Sequence, residues 1–331
     1  MIQSPAPDSL VIGVDVGGTK VAAGVVESGG KILYRARVPM VCDHGAAAAL
    51  ASVTAAIESV LDQLPQPRDP TWQIHGIGIC SPGPLNPKIG VVLNPPNLPC
   101  WRDYPLAAEL ARIYRVPVKV DNDANAAGLA EGLWGASRGY RNIFYATIGT
   151  GIGTAIVMDG HIYHGRTGAA AEGGHLSIDY RGPRCGCGKQ GCIEALASGP
   201  AIARRARTKL GEGRHSSLLE LAGGNIERVT SELVGQASSS GDMLAREVIE
   251  ETVQLLAFWL GNVIDLLEPD VILIGGGVAS MLKPYFAQIK NRLPACCLNQ
   301  GCTEIPLLPA SYGEDAGLAG AAALCFQREH V

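Results

Sequence analysis

The chain has 331 residues, a formal net charge of -4, and 47% hydrophobic against 18% charged residues. That length suits about two domains of roughly 150 residues, each able to bury a core without disulfide or metal staples, and argues against fibres and lone small modules. The acidic balance removes the broad attraction that non-specific nucleic-acid binding requires, and the apolar share argues against disorder over most of the length. Glycine is the outlier, with 42 residues and no collagen-like period. Tight turns and backbone in close approach to a ligand are the physical uses of so many.

Met1 to Ser9 carries Pro5, Pro7 and Asp8 and lacks the basic-then-apolar order of an export leader. A long uncharged stretch, Asn142 to Met158, is interrupted by Gly149, Gly151 and Gly153 and falls short of the roughly 20 apolar residues of a spanning helix. The expectation is a cytoplasmic protein with no membrane and no nucleic-acid partner. In a reducing compartment, scattered thiols such as Cys42, Cys80 and Cys325 read as small buried hydrophobes.

The first apolar run, Leu10 to Val14, enters the Gly-rich turn Asp15-Val16-Gly17-Gly18-Thr19-Lys20. Val21 to Val26 and Lys31 to Val38 follow as strands around the turn Glu27-Ser28-Gly29-Gly30, so the opening unit reads as an antiparallel meander. Ala46 to Leu64 reads as a helix, Ile74 to Cys80 as a strand, Tyr104 to Tyr114 as a helix, and Val116 to Val120 as a strand closing on Asp121-Asn122-Asp123. This alternation implies an α/β domain with a mixed sheet. A second meander starts at Ile143. A shift of 147 − 15 = 132 positions lays Thr147-Ile148-Gly149-Thr150-Gly151 on Asp15-Val16-Gly17-Gly18-Thr19. An internal duplication and two unrelated Gly-rich hairpins both fit so few identities. Helices are expected over Glu194 to Leu210, Asp242 to Leu267, Pro284 to Arg292 and Glu314 to Gln327, a strand over Val271 to Ile274, and loops with short helices over Gly211 to Gly241.

Several segments carry chemistry. The first turn lacks P-loop spacing and lies between strands, the wrong context for a Rossmann fingerprint. It offers a carboxylate for a hydrated Mg2+, glycine amides for phosphate oxygens, a hydroxyl and a cation. Asp123 stands at a strand end, where ligands of open α/β sheets collect, and can accept the proton of an attacking hydroxyl. Capping of the next helix by Asn122 or Asp123 is the plainer alternative. His175 with Cys185, Cys187 and Cys192 makes a complete tetrahedral zinc set with no open position, hence a structural ion. Glu172 and Glu194 flank that knot, which can preorganise them for sugar hydroxyls. Gly275, Gly276 and Gly277 after an apolar strand resemble a turn packed close to a flat ligand such as adenine.

The DVGGTK turn at Asp15, SPGPLN at Ser81, NDANAA at Asn122, EGGH at Glu172 and CGCGKQGCIE at Cys185 together resemble the ROK family of sugar kinases and repressors. The resemblance implies the actin-like ATPase (ribonuclease H-like) fold, with two α/β domains flanking a cleft. The small domain is expected over 1–121 plus 315–331 and the large one over 122–314, with a zinc-binding loop at 175–192. It implies ATP with Mg2+ as the phosphoryl donor system and a hexose as the small-molecule substrate. Asp123 is then the general base, and Asn97, Asn122, Glu172, His175 and Glu194 are hexose contacts. Asp15, Gly17, Gly18, Thr19, Lys20, Thr150 and Gly151 meet the phosphates and Mg2+, and Gly275 to Gly277 the adenosine. His175 also joins Cys185, Cys187 and Cys192 on structural Zn2+. Gly173 stands where many members carry a larger residue and is expected to loosen its turn. A homodimer or homotetramer is the implied assembly.

Glucose is the first expected substrate, because Pro82 to Trp101 resembles the sugar loop of family glucokinases. N-acetylmannosamine, N-acetylglucosamine and fructose remain open, as does polyphosphate as donor. The family's repressors carry a helix-turn-helix before the first turn, and the fourteen residues ahead of Asp15 are too few for a three-helix module. A non-catalytic zinc-stabilised binding protein is the remaining alternative, disfavoured by Asp123 and both phosphate turns.

Overall fold

The computed structural model describes residues 9–65 and 73–327, so the expectations for residues 1–8 and 328–331 lie outside the described residues. The first sheet is built from β1 (Leu10–Val16), β2 (Lys20–Glu27), β3 (Ile32–Pro39), β4 (Ile74–Ser81) and β7 (Val118–Asn122), in the order β3-β2-β1-β4-β7. Between these strands lie α1 (Ala46–Leu61), the short hairpin β5 (Leu85–Asn86) and β6 (Val91–Val92), and α2 (Leu106–Tyr114); α3 (Asp123–Leu133) follows β7. β1 and β4 are nearly all buried, the signature of strands covered on both faces. α1 lays Ala49, Val53, Ala56, Ile57 and Val60 onto the core at helical spacing.

The second sheet has the order β10-β9-β8-β11-β12, from β8 (Ile143–Ile148), β9 (Ile152–Met158), β10 (His161–Ile162), β11 (Val271–Gly275) and β12 (Leu307–Pro309). Its helices are α4 (Ile193–Ala197), α5 (Gly199–Gly211), α6 (Leu218–Leu221), α7 (Ser231–Ser239), α8 (Met243–Leu267), α9 (Gly277–Leu282) and α10 (Phe286–Arg292), and the described chain ends with α11 (Ala316–Phe326). α8 starts on Asp242, whose Oδ1 accepts the Ala245 N–H at 2.9 Å, and buries Trp259 edge-on to Phe144. The first sheet is a three-stranded antiparallel meander extended by the parallel strands β4 and β7, and in the second β10 pairs antiparallel with β9 and β11 parallel with β12. Shifting 10–16 and 20–27 by the 132 positions found above lands on 142–148 and 152–159, within one residue of β8 and β9. No described helix is long and apolar enough to cross a membrane.

By internal contacts, one unit comprises Met1–Ile143, Ala155–Ala171 and Ser311–Val331, the other Phe144–Thr154 and Glu172–Ala310. The breaks expected at 121/122 and 314/315 therefore fall elsewhere. The cause is α3, which packs on α11 so closely that a Cβ on Gly320 would stand 2.6 Å from the Ala126 carbonyl carbon. The helix expected from Glu194 to Leu210 is broken at Ser198. Pro200 opens α5, and the Gly199 N–H is drawn to the Gly149 carbonyl at 2.8 Å, so the ladder cannot run through.

Close approach explains part of the glycine excess. α11 rests on β1 and β4, where a Cβ on Gly13 would lie 2.2 Å from the Leu318 oxygen and one on Gly78 1.7 Å from the Ala321 oxygen. Gly78→Val must push the helix off the sheet, and a loss on the order of 3 kcal/mol is expected, read as a lower urea midpoint. An unchanged midpoint would contradict the packing. Two of the three cysteines named above depart from expectation: Cys42 is joined to Cys100, with Cα atoms 5.2 Å apart, because the end of β3 meets the 93–103 loop, and Cys325 is only half-buried. Cys80 is buried, as expected.

Candidate active site

In the first unit, strand register places Asp15 beside Cys80 and Cys80 beside Asp121. The strand ends of β1, β4 and β7 thus carry the turn at Gly17, the 81–86 loop and the start of α3. The Gly17 N–H donates to the Lys20 carbonyl at 2.9 Å, closing the first turn, and the Thr19 carbonyl accepts the Met40 N–H at 3.0 Å. Gly18, Thr19 and Lys20 are exposed. A Cβ on Gly18 would lie 2.7 Å from the Asn97 carbonyl oxygen, so the turn and the loop bearing Asn97 touch through backbone. The Asn97 side chain belongs to an exposed residue.

Asp15 is mostly buried, with its Oδ1 3.4 Å from the Cys80 thiol. A Cβ on Gly317 would lie 2.4 Å from its Oδ2, so only glycine fits opposite the carboxylate. Burial pushes the Asp15 carboxyl above its ordinary range, and the Cys80 thiol, Lys20 and Arg37 pull it down by less. Burial, with Asp15 and Asp123 nearby, likewise holds the Cys80 thiol well above the ordinary range and so unionised.

Asn122 and Asp123 share the capping of α3. The Ala124 N–H reaches Asn122 Oδ1 at 2.9 Å and Asp123 Oδ1 at 2.8 Å. Asn122 is the N-cap, and Asp123, the first helical residue, is exposed. Both side chains therefore cap the start of α3, Asn122 from the N-cap position and Asp123 from the first helical position.

In the second unit, the turn between β8 and β9 is closed by Gly149 N–H to Gly151 carbonyl at 2.9 Å. Glu194 Oε2 accepts the Ile152 N–H at 2.9 Å, and a Cβ on Gly151 would stand 2.6 Å from that oxygen. The other oxygen, Oε1, lies 3.8 Å from His175 Nδ1 and 3.6 Å from Cys185 Sγ. Glu194 thus links the second Gly/Thr turn to the cysteine knot. Glu172 is exposed. Gly173 does not loosen its turn: its N–H donates to Thr154 Oγ1 at 2.7 Å, and its carbonyl accepts from Trp259 Nε1 at 3.1 Å. Gly276 has φ 88°, and a Cβ there would lie 2.4 Å from the Ile148 oxygen. Gly275 ends β11, and Gly277 begins α9.

The ligand atoms of His175, Cys185, Cys187 and Cys192 lie within 4.8 Å of one another. Cys187 and Cys192 sulfurs are 3.6 Å apart, and Cys185 Sγ is 3.6 Å from His175 Nδ1. A tetrahedral ion with Zn–S of about 2.3 Å and Zn–N of about 2.0 Å sets its ligands about 3.5–3.8 Å apart, a spacing that these two pairs match, and the donor set of one imidazole and three thiols suits zinc. Burial pushes the Cys192 thiol up to about 12, while hydrogen bonding to the Lys189 backbone lowers the exposed Cys187 thiol.

Three residues that sequence spacing did not single out belong to this neighbourhood: Cys80 beside Asp15, and Asp121 with His164, whose carboxylate and ring meet at 2.5 Å. Position just before Asn122 is the only sequence signal that points to Asp121.

A family model for the ROK family matches residues 11–328. A glucokinase from Thermotoga maritima is 33% identical over 322 residues, covering 97% of this chain and 99% of the relative. Among solved structures, a ROK family glucokinase from Streptomyces griseus in complex with glucose and AMPPNP is similar with TM-score 0.77 and 32% identity, over 96% of this chain and 99% of that one. The ROK hexokinase from Thermus thermophilus is similar with TM-score 0.77 and 31% identity, over 95% and 97% of the two chains.

Proposed function

The chain belongs to the ROK family, and from that premise we propose that it is an ATP-dependent hexose kinase that phosphorylates glucose at the 6-hydroxyl. The observation that carries this reading is the exposed Asp123 at the β7–α3 turn, within a chain similar end to end to glucokinases. Phosphoryl transfer asks little covalent chemistry of a protein; it asks for position, charge neutralisation and a base for the attacking hydroxyl.

In this reading, Asp123 accepts the sugar hydroxyl proton as the oxygen attacks the terminal phosphorus of ATP, and the proton passes to its carboxylate while ADP leaves. Asn97, Asn122, Glu172, His175 and Glu194 supply hydrogen-bond partners for sugar hydroxyls. The Glu194 oxygen bonded to Ile152 is already committed, so its contribution to sugar comes from the other. Gly18 and Thr19 offer backbone N–H and hydroxyl donors to phosphate oxygens, with Lys20 as a cation, and Gly17, whose N–H closes on the Lys20 carbonyl, shapes the turn that presents them. Thr150 and Gly151 play the same part in the second unit, and Gly275 to Gly277 border the adenosine. Asp15 holds hydrated Mg2+, which when bound offsets phosphate charge. His175, Cys185, Cys187 and Cys192 hold Zn2+, which when bound cross-links the loop. The enzyme acts in the cytoplasm as a homodimer or homotetramer.

The experiment is a coupled assay for ADP release over glucose, fructose, N-acetylglucosamine and N-acetylmannosamine, with polyphosphate run as an alternative donor. Glucose with ATP is expected to give the highest kcat/KM. No turnover of any hexose with either donor would reject the kinase.

Asp15 separates function from stability. Its folded carboxyl titrates above the unfolded value because it is buried. The folded state therefore binds that proton more tightly: the contribution to stability is present below the unfolded pKa and lost as pH rises through the folded one. At neutral pH the ionised group is a cost to folding. Asp15→Asn is expected to hold or raise the thermal midpoint at pH 7 while lowering kcat/KM by about 10²-fold. A fallen midpoint with unchanged kinetics would contradict both parts.

A further inference from the structure

We propose that His164 is a positioning residue for phosphoryl transfer, acting through Asp121 to fix the turn that presents Asn122 and Asp123. The inference rests on Asp123 being the base, and concerns how the fold holds that base in place.

Asp121 lies in β7 with a side chain only 4% exposed. Its Oδ1 accepts the Asn122 N–H at 2.7 Å and Asn125 Nδ2 at 3.0 Å. Its Oδ2 meets His164 Nε2 at 2.5 Å. A carboxylate only accepts, so that ring nitrogen donates. One buried carboxylate thereby gathers the strand end, the first turn of α3 and a segment that follows β10, and Asp123 lies between two of its partners. Charge-assisted bonds of this length are among the stronger ones, and a buried carboxylate oxygen deprived of its donor is expensive. Without His164 the cheapest response is for Asp121 to turn toward other donors, which moves the backbone that carries Asn122 and Asp123.

The segment bearing His164 does not depend on its ring for its shape. The Tyr163 N–H donates to the Ile156 carbonyl at 2.8 Å and the Ala170 N–H to the His164 carbonyl at 3.2 Å. Gly168, at φ 95°, leaves no room for a Cβ, which would stand 2.6 Å from Pro87. The ring is 23% exposed. Truncating it therefore removes the donor from Asp121 while the loop keeps its own bonds, so the effect falls on the turn.

The test compares wild type, His164→Ala, His164→Gln, Asp123→Asn and the double variant His164→Ala/Asp123→Asn in steady-state kinetics, glucose binding and thermal unfolding. His164→Ala is expected to lower kcat about ten-fold or more, since displacement of a reacting group by about 1 Å can cost 10²-fold, with the KM for ATP little changed. His164→Gln, whose amide can donate to Asp121, is expected to recover most of kcat. In the Asp123→Asn background, His164→Ala is expected to add almost nothing, because both changes disable one unit. Wild-type turnover is the control that separates the two readings: its absence defeats the kinase and this inference with it. With an active wild type, the inference alone is overturned by a His164→Ala kcat within two-fold of the parent. It is equally overturned by multiplicative losses in the double variant, or by a loss matched by the fraction unfolded and not recovered by Gln.

Discussion

Asp123→Asn is expected to bind glucose within a few-fold of the parent and to lose about 10²–10⁴ in kcat, the range for removing a positioned general base. The substitution keeps size and one acceptor oxygen. Asn Oδ1 can still take the Ala124 N–H that Asp123 now accepts at 2.8 Å, and Asn122 caps the same N–H at 2.9 Å. The helix start is therefore doubly secured and the fold should be indifferent. What is lost is a carboxylate able to take the hydroxyl proton, and the neutral amide is a far weaker base. Binding by calorimetry and turnover by the coupled assay divide the two quantities. A kcat within about five-fold of the parent would remove Asp123 from the chemistry.

The second large effect concerns the metal knot. Protein unfolded in the presence of a chromogenic chelator is expected to release about one zinc ion per chain, and Cys192→Ser to release almost none. Stripping the metal is expected to cost about 3 kcal/mol or more, roughly 10 °C in the midpoint of a unit of this size. Turnover should fall with it, because Glu194 lies between the knot and the β8–β9 turn, 3.6 Å from Cys185 Sγ and 2.9 Å from the Ile152 nitrogen. Loss of the ion frees one end of that link. A metal-free preparation with the parent midpoint and activity would show that the four side chains do not hold a structural ion.

Much of this protein could be read in advance. Both strand-turn-strand units, the helices α1, α2, α8 and α11, and the α/β class follow from Val/Ile runs, Ala-rich stretches and Gly/Asp turns, because each depends on residues a few positions apart. The cysteine knot was legible for the same reason: three of its ligands fall within eight residues, at 185, 187 and 192. The strand-to-helix turn at Asn122 and Asp123 was legible as well, although the sharing of the cap between the two was not. The break at Ser198 escaped, since it depends on Gly199 reaching a carbonyl at Gly149, fifty positions earlier.

The sequence by itself determined which chemical groups are available and on what local elements they sit: a carboxylate at a strand end, glycine turns, a four-ligand set. Only the tertiary structure decided how those groups are held. Asp15 becomes a buried carboxylate because Gly317 on α11 lets the helix close over it. Glu131, a residue no motif marked, takes the backbone N–H groups of Ala136, Ser311 and Tyr312 and secures the approach to α11. His164 finds Asp121 across 43 positions, and Cys42 finds Cys100 across 58. Local pattern reports on backbone conformation and side-chain chemistry within a turn or two of chain. Partnership between distant residues is set by which surfaces pack, and burial then converts an ordinary carboxylate into one whose every donor matters.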